Sequence, residues 1–114
     1  MRQIADLHIH SKYSRACSRD LTLENIDKVC RAKGVDIIAT ADFTHPLWFR
    51  EIRNNLEEID NTGLYKLKKG DGQIKFIFST EISCIYSKLG KVRRLHIVIL
   101  APNIATVAKI NVAL

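Results

Sequence analysis

The chain has few of the features that mark a membrane protein or a secreted one. Its longest apolar run, residues 97–101, falls far short of the roughly 18 residues that span a bilayer. The three cysteines are odd in number and form no Cys-x-x-Cys pair, so we expect reduced thiols and no disulfide framework. No secretory signal precedes the first candidate motif. We therefore predict a cytoplasmic protein with no membrane segment.

Linkers, internal repeats and low-complexity segments are also missing. Hydrophobic amino acids make up 46% of the 114 residues, which is typical of a globular protein. That length is enough for one small domain, and we predict a single domain over residues 1–114.

Acidic residues are scarce relative to basic ones. The sequence has 12 Asp and Glu against 18 Lys and Arg, which gives a net charge of +6 and an isoelectric point near 9.4. Much of the excess lies in residues 66–69 and 88–94. A basic balance favours a polyanionic partner such as nucleic acid, although lysine-rich loops are also common on soluble surfaces. Charge alone leaves both interpretations open.

Hydrophobic periodicity predicts strands and helices in alternation. A helix over about residues 23–32 would begin after Thr22 and stop at Gly34. A second helix would open at His45-Pro46 and end at residues 61–63. The other predicted elements are strands at 4–10, 35–40, 76–79 and 94–100, hairpin turns near 70–72 and 89–90, and a helix at 104–114. This order favours an α/β fold with a largely parallel sheet.

The first predicted strand ends in Asp6-Leu7-His8-Ile9-His10. Side chains two residues apart in a strand point to the same face, so Asp6, His8 and His10 would project together. Imidazole suits zinc, iron and manganese, and a nearby carboxylate suits the harder divalent ions. The same spacing also fits a solvated polar face, so the pair by itself is only a hypothesis for half of a metal site.

Further polar side chains accompany the later predicted strands. Asp42 follows the second strand with His45 close behind it, Glu81 follows the third strand, and His96 lies within the fourth. In α/β barrels the carboxyl ends of the strands form the active-site face. Taken singly, each carboxylate is more often a helix cap or a solvated group, but together with the histidine pair these residues predict a metal site.

The segments that carry these residues resemble the PHP (polymerase and histidinol phosphatase) superfamily. They read D-L-H-I-H-S, T-A-D-F-T-H-P, T-E-I-S and L-H-I-V-I-L-A-P, and the resemblance runs from about residue 4 to residue 103. Within the superfamily, D-L-H-I-H-S-K-Y-S and D-F-T-H-P-L-W are most similar to the endonuclease Q group and to related bacterial helicase-associated proteins. The resemblance implies the N-terminal part of a distorted (β/α)7 barrel that binds divalent ions, namely Zn, Mn, Fe or Mg.

The resemblance also implies roles for single residues. The implied metal ligands are His8, His10, Asp42, Glu81 and His96. Glu81 would bridge two ions and take part in catalysis. Asp6, the other implied catalytic residue, would orient the histidines rather than bind metal.

Two departures from the family pattern concern the metal ligands. The family places a histidine directly after the second-motif aspartate, whereas Phe43 follows Asp42 here and His45 comes later. His45 can replace that ligand, contact the substrate, or only start a helix. Residues 12–17 also lack the histidine that many members have there, which puts a third metal in doubt.

The implied activity is metal-dependent hydrolysis of a phosphate ester, with water activated by clustered cations. Together with the basic composition, the resemblance favours an endonuclease that acts at deaminated or damaged bases, with DNA as substrate and a helicase or other repair protein as partner. Lys12, Arg15 and Arg19 would grip flanking phosphates, unless they form only a solvated basic loop. The alternatives are a small-molecule phosphatase of the histidinol-phosphatase type and an inactive, truncated remnant.

Length is the larger departure, because a full barrel takes roughly 250 residues. The Asp-x-His pair that completes the family's metal cage is absent from the 114 residues. We therefore expect this chain to need the C-terminal half of the barrel, and to be inactive or weakly active alone.

Overall fold

The computed structural model describes residues 2–13 and 19–114, which form strands and helices in the order β-α-β-α-β-β-β-β-α. The strands are β1 (Ala5–Asp6), β2 (Ile37–Ala39), β3 (Leu56–Glu58), β4 (Tyr65–Leu67), β5 (Lys75–Lys88) and β6 (Lys91–Ala101). The helices are α1 (Leu23–Lys33), α2 (Pro46–Asn55) and α3 (Ile104–Ala113). The predicted α/β class is confirmed. None of the described helices is long and apolar enough to cross a membrane.

A mixed six-stranded sheet has β5 at its centre, with the strand order β1-β2-β5-β4-β3 and β6 paired to β5. β1, β2 and the start of β5 are parallel, so that Ile38 lies opposite Asp6 on one side and Phe76 on the other. The three pairings β3–β4, β4–β5 and β5–β6 are antiparallel. The expectation of a largely parallel sheet is therefore wrong, because these later strands are joined by short turns that only antiparallel neighbours allow.

Helix α1 forms where its caps predict it. Thr22 Oγ1 accepts a hydrogen bond of 3.2 Å from the Asn25 backbone N–H. Gly34 ends the helix with φ of 76°, in the left-handed region that favours glycine. Leu23, Ile26 and Cys30 face the core.

Helix α2 starts at Pro46 as predicted but ends at Asn55, not at residues 61–63. Leu56 continues the helical spacing of apolar residues in the sequence, yet it pairs with Leu67 as the first residue of β3. Pairing with a neighbouring strand thus overrides the local helical pattern. Asp60 and Asn61, both with positive φ, turn the chain after β3.

The core lies between the helices and the sheet. Its largest fully buried side chains are Trp48, Phe43, Phe76, Phe78, Leu23, Ile52, Leu56, Ile74 and Val107. Trp48 also donates its indole N–H to the carbonyl oxygens of Thr40, at 3.0 Å, and Ala41, at 2.9 Å. The core therefore fixes the loop that follows β2.

β5 and β6 extend beyond the other strands as a two-stranded ribbon. Residues 83–96 of this ribbon are called the arm below. Its register runs from Ser83 opposite His96 to Lys88 opposite Lys91. Leu89 and Gly90, with φ of 53° and 75°, form the two-residue turn predicted at this point. The prediction that Glu81 follows the end of the third strand is wrong, since pairing with β6 continues β5 through Glu81.

Candidate metal centre

His8, His10 and Glu81 converge at one edge of the sheet. One possible ligand atom from each lies within 4.8 Å of the other two. His8 Nε2 is 2.9 Å from Glu81 Oε2, and the two imidazole centroids are 5.7 Å apart. Over the described part of the chain, this is the group of three donors close enough to share one cation. It is called the ligand trio below.

The parallel strands explain why these side chains meet. β1, β2 and the start of β5 all bring their carboxyl ends to the same edge. β1 is shorter than predicted and stops at Asp6, whose Oδ1 accepts a hydrogen bond of 3.2 Å from the His8 backbone N–H. Glu81 lies just beyond Ile77, the last residue of β5 paired with β2. The histidine pair, which follows β1, and Glu81, which remains within β5, thus lie side by side at this edge.

His96 reaches the same carboxylate from β6. Its Nδ1 lies 3.3 Å from Glu81 Oε1, while His8 contacts the other oxygen. Glu81 is paired with Val98 in the ladder, and His96 lies two residues from Val98 on the same face. Such diagonal neighbours in an antiparallel pair are within side-chain reach. The structure therefore brings His96 beside the ligand trio.

The electrostatic environment keeps the Glu81 carboxyl ionised. The hydrogen bond with His8 lowers its pKa below the ordinary value, and the nearby imidazoles of His8, His96 and His10 lower the pKa further. Desolvation opposes this shift. An ionised carboxylate facing imidazoles is a donor set that zinc, manganese and iron accept.

Asp42 follows β2 and is bound to the first motif through Ser11. Its Oδ2 accepts a hydrogen bond of 2.6 Å from Ser11 Oγ and another of 3.2 Å from the Ser11 backbone N–H. Ser11 is fully buried. The structure thus connects the His8–Ser11 segment to the loop after β2, while Asp42 lies outside the ligand trio. Its role as a metal ligand stays a prediction.

The loop that carries Asp42 has a strained backbone. Ala41 and Asp42 have φ of 59° and 46°, a region that costs residues other than glycine about 1–3 kcal/mol each. Ser79 holds the loop in place: its Oγ accepts from the Ala41 N–H at 2.9 Å and its carbonyl oxygen accepts from the Phe43 N–H at 3.2 Å. Such strain persists only where several contacts fix it, and it is commonest at functional sites.

His45 occupies the N-cap position of α2, but its side chain makes no capping hydrogen bond. Its ring stacks on Tyr13 with centroids 4.1 Å apart. Its Nδ1 atom is buried and has no hydrogen-bond partner in the described chain. The expectation that His45 starts a helix is confirmed, and the alternatives of metal ligation and substrate contact remain predictions.

The predicted phosphate-binding residues occupy different settings. Lys12 Nζ makes an ion pair of 2.7 Å with Glu51 Oε1, and this hydrogen bond raises the pKa of Lys12. Arg19 is exposed and lines a shallow surface cavity with Lys12 and Tyr13. Arg15 lies outside the described residues. Phosphate binding by Lys12 would therefore compete with Glu51.

Three residues that hold the site together are not among the residues predicted from the sequence. Ser11 connects the first motif to Asp42, Ser79 fixes the strained loop, and Tyr13 covers His45. Ser11 stands inside the first motif, so its position was a usable signal. Ser79 and Tyr13 act through contacts more than 30 residues apart in the chain, which no local pattern shows.

The residues present fit a divalent metal. Two imidazoles and one ionised carboxylate converge with ligand atoms mutually within 4.8 Å. A third imidazole touches the same carboxylate. These are nitrogen and oxygen donors of the kind that zinc, manganese and iron sites use.

Comparison of sequences finds a similar protein but no matching family model. No family model matches the chain. An uncharacterized protein of Methanocaldococcus jannaschii is 35% identical over 106 residues, which is 93% of this chain and 11% of that protein. The chain therefore spans about a tenth of the curated relative.

Comparisons of structure find endonucleases. The fold matches the lesion-specific endonuclease PfuEndoQ of Pyrococcus furiosus with a TM-score of 0.76 and 26% identity, over 96% of this chain and 24% of that one. It also matches an endonuclease Q solved with a 27-mer duplex substrate that has an abasic lesion at the active site. That match has a TM-score of 0.76 and 29% identity, over 96% of this chain and 25% of that one. The chain resembles a fragment of endonuclease Q and spans about a quarter of its length.

Proposed function

We propose that this chain carries part of the active site of a metal-dependent endonuclease that cleaves DNA at damaged or deaminated bases. The observation that carries the proposal is the convergence of His8, His10 and Glu81 at the carboxyl edge of β1, β2 and β5. The likeness to endonuclease Q supports the substrate class, since one matched structure holds a duplex with an abasic lesion. Membership of the PHP superfamily and closure of a (β/α)7 barrel are parts of the proposal.

The ligand trio would hold the first cation. His8 Nε2 now shares a hydrogen bond of 2.9 Å with Glu81 Oε2. To bind a cation, His8 Nε2 would give up the proton of this bond, and its lone pair and those of the carboxylate oxygen would then be available. His96, Asp42 and His45 are the proposed additional ligands. A bound cation would lower the pKa of a water and neutralise charge on the reacting phosphate.

Other side chains position these donors. The Asp6 carboxylate accepts a hydrogen bond from the His8 backbone N–H, and this bond orients the chain where it leaves β1. Ser11 and Ser79 hold the loop that carries Asp42. Arg19 and Lys12 lie in the next loop, where flanking phosphates would bind, although Lys12 would first have to leave Glu51. These residues would preorganise the site without binding the cation themselves.

The net charge of +6 favours DNA over a small phosphate ester as the substrate. The chain covers about a quarter of the solved endonuclease Q chains, so the complete site would draw on further residues of a longer protein. A helicase or other repair protein as partner and a cytoplasmic location remain predictions.

Strand nicking under single-turnover conditions tests the proposal. The chain, in excess, is incubated with Mn²⁺ and matched duplexes that contain an abasic site, uracil, hypoxanthine or no lesion. We expect slow nicking of the lesion strand that requires Mn²⁺ and disappears in His8→Ala. The exposed residue Asn54 on α2 gives the control, since Asn54→Ala should nick as the wild type does.

The same assay separates the rival functions. If the chain released phosphate from histidinol phosphate and left all duplexes intact, the small-molecule phosphatase would replace the endonuclease as the function. Absence of both reactions, also in a longer protein that includes the C-terminal half of the barrel, would show that the chain is an inactive remnant. Nicking that is equal in the wild type and His8→Ala would remove the ligand trio from the mechanism.

A further inference from the structure

The sequence beyond Glu81 contains no acidic residue. It has five basic residues, and four of them, Lys88, Lys91, Arg93 and Arg94, lie on the arm. All four are exposed. Among the described residues none of the four takes part in an ion pair. The end of the arm is therefore a positive patch without compensating charge.

The register of the arm concentrates this charge. Lys88 lies directly opposite Lys91, and Arg93 and Arg94 follow within the next three pairs. Like charges directly opposite each other in a ladder destabilise it. Leu89, at the turn between them, is 91% exposed. The arrangement weakens a free ribbon and favours contact with an anion.

The arm also has a definite reach from the ligand trio. Glu81 and Leu89 are separated by eight residues of extended chain, which is about 26 Å at roughly 3.3 Å per residue. This distance equals about eight base pairs of B-DNA at roughly 3.4 Å each. A two-stranded ribbon fits the major groove, which is about 12 Å wide.

We propose that the end of the arm binds the DNA duplex on one side of the lesion, about four to eight base pairs from the ligand trio, with Lys88, Lys91, Arg93 and Arg94 on the phosphates. The position of the arm relative to the lesion rests on the proposed function, whereas binding of the arm to a DNA duplex does not. A second copy of this chain is a poorer occupant, because it would bring the same positive patch to the contact.

Equilibrium binding of fluorescent duplexes in EDTA tests the arm without any metal chemistry. The variant carries Lys88→Gln, Lys91→Gln, Arg93→Gln and Arg94→Gln. Its matched control carries Lys28→Gln, Lys33→Gln, Lys68→Gln and Lys69→Gln, which removes the same charge from exposed positions on α1 and after β4. We expect the arm variant to bind about 10–100-fold more weakly than the control at 0.1 M salt. The slope of log K against log salt concentration should become shallower by about 3.6.

Duplex length gives a second readout. The reference duplex has a central lesion with 12 base pairs on each side. Two further duplexes are each shortened to four base pairs on one side of the lesion. The wild type should bind only one of the two shortened duplexes more weakly than the reference, namely the one that lacks the base pairs under the arm. The arm variant should not distinguish these duplexes. Equal binding by the arm variant and the control would overturn the proposal, as would an arm variant that changes only the oligomeric state in gel filtration.

The two proposals fail separately. Loss of binding in the arm variant together with no Mn²⁺-dependent nicking would leave the arm as a DNA contact and remove the endonuclease. Nicking that depends on His8, together with an arm variant that binds like its control, would support the endonuclease and remove the arm as a DNA contact.

Discussion

Apolar residues of the same types are buried in the body, which is the described part of the chain outside the arm, and exposed in the arm. In the body, Ile52 and Val107 are completely buried and Leu56 is 2% exposed. In the arm, Ile85, Leu89 and Val92 are 68%, 91% and 70% exposed. The body is stabilised by side-chain packing, while the arm is held mainly by its ladder of backbone pairs. A two-stranded ribbon is only marginally stable by itself. The difference shows that side-chain packing stabilises the arm less than it stabilises the body.

The largest expected effect comes from truncating one isoleucine in each region. Ile52→Ala should lower the free energy of unfolding by about 2–5 kcal/mol, because it leaves a cavity in the core. Ile85→Ala should change it by less than about 0.5 kcal/mol. Urea denaturation of the two variants measures both values. Equal losses would show that the arm belongs to the same cooperative core.

Substitution of one glycine in the body and one in the arm should have a smaller effect on the free energy of unfolding. Gly34 ends α1 and Gly90 turns the arm, with φ of 76° and 75°, and a Cβ at either position would meet open space. Alanine therefore adds only backbone strain, about 1 kcal/mol or somewhat more. Gly34→Ala should lower the global unfolding free energy by that amount. Gly90→Ala should leave it unchanged and speed amide hydrogen exchange only in residues 83–96.

The smallest expected effect concerns a surface ion pair of the body. Arg31 contacts Asp71 at 2.6 Å, and this hydrogen bond lowers the pKa of the Asp71 carboxyl well below its usual range. The ion pair therefore stabilises the fold above the ordinary aspartate pKa of about 4 and loses this effect as the pH falls towards the lowered value. Asp71→Asn should shift the urea midpoint slightly at pH 7 and less at pH 2.5. A shift independent of pH would exclude the ion pair as the cause.

Local signals predicted the elements that local interactions determine. Thr22, Gly34, Pro46 and the Leu89-Gly90 turn each marked an element end that the structure confirms. Long-range pairing decided the rest. It ended α2 at Asn55, because Leu56 pairs with Leu67, and it extended β5 through Glu81.

In the candidate site too, local sequence patterns predicted some features and long-range packing decided the others. The spacing of the histidine pair predicted that both side chains would project together, and they do so, although β1 stops before them. The ion pair of Lys12 with Glu51 and the stacking of His45 on Tyr13 depend on how α2 packs against the first loop. Neither contact has a signature in the sequence near these residues.

The central claim is that His8, His10 and Glu81 form a divalent metal site, and equilibrium binding of Mn²⁺ to the purified chain, followed by the electron paramagnetic resonance of free Mn²⁺, tests it most directly. We expect saturable binding by the wild type, and affinity at least about tenfold weaker in Glu81→Gln. We expect unchanged affinity in Glu24→Gln, which removes an exposed carboxylate from the first turn of α1. Equal affinity in the two variants, or no binding by the wild type, would contradict the account.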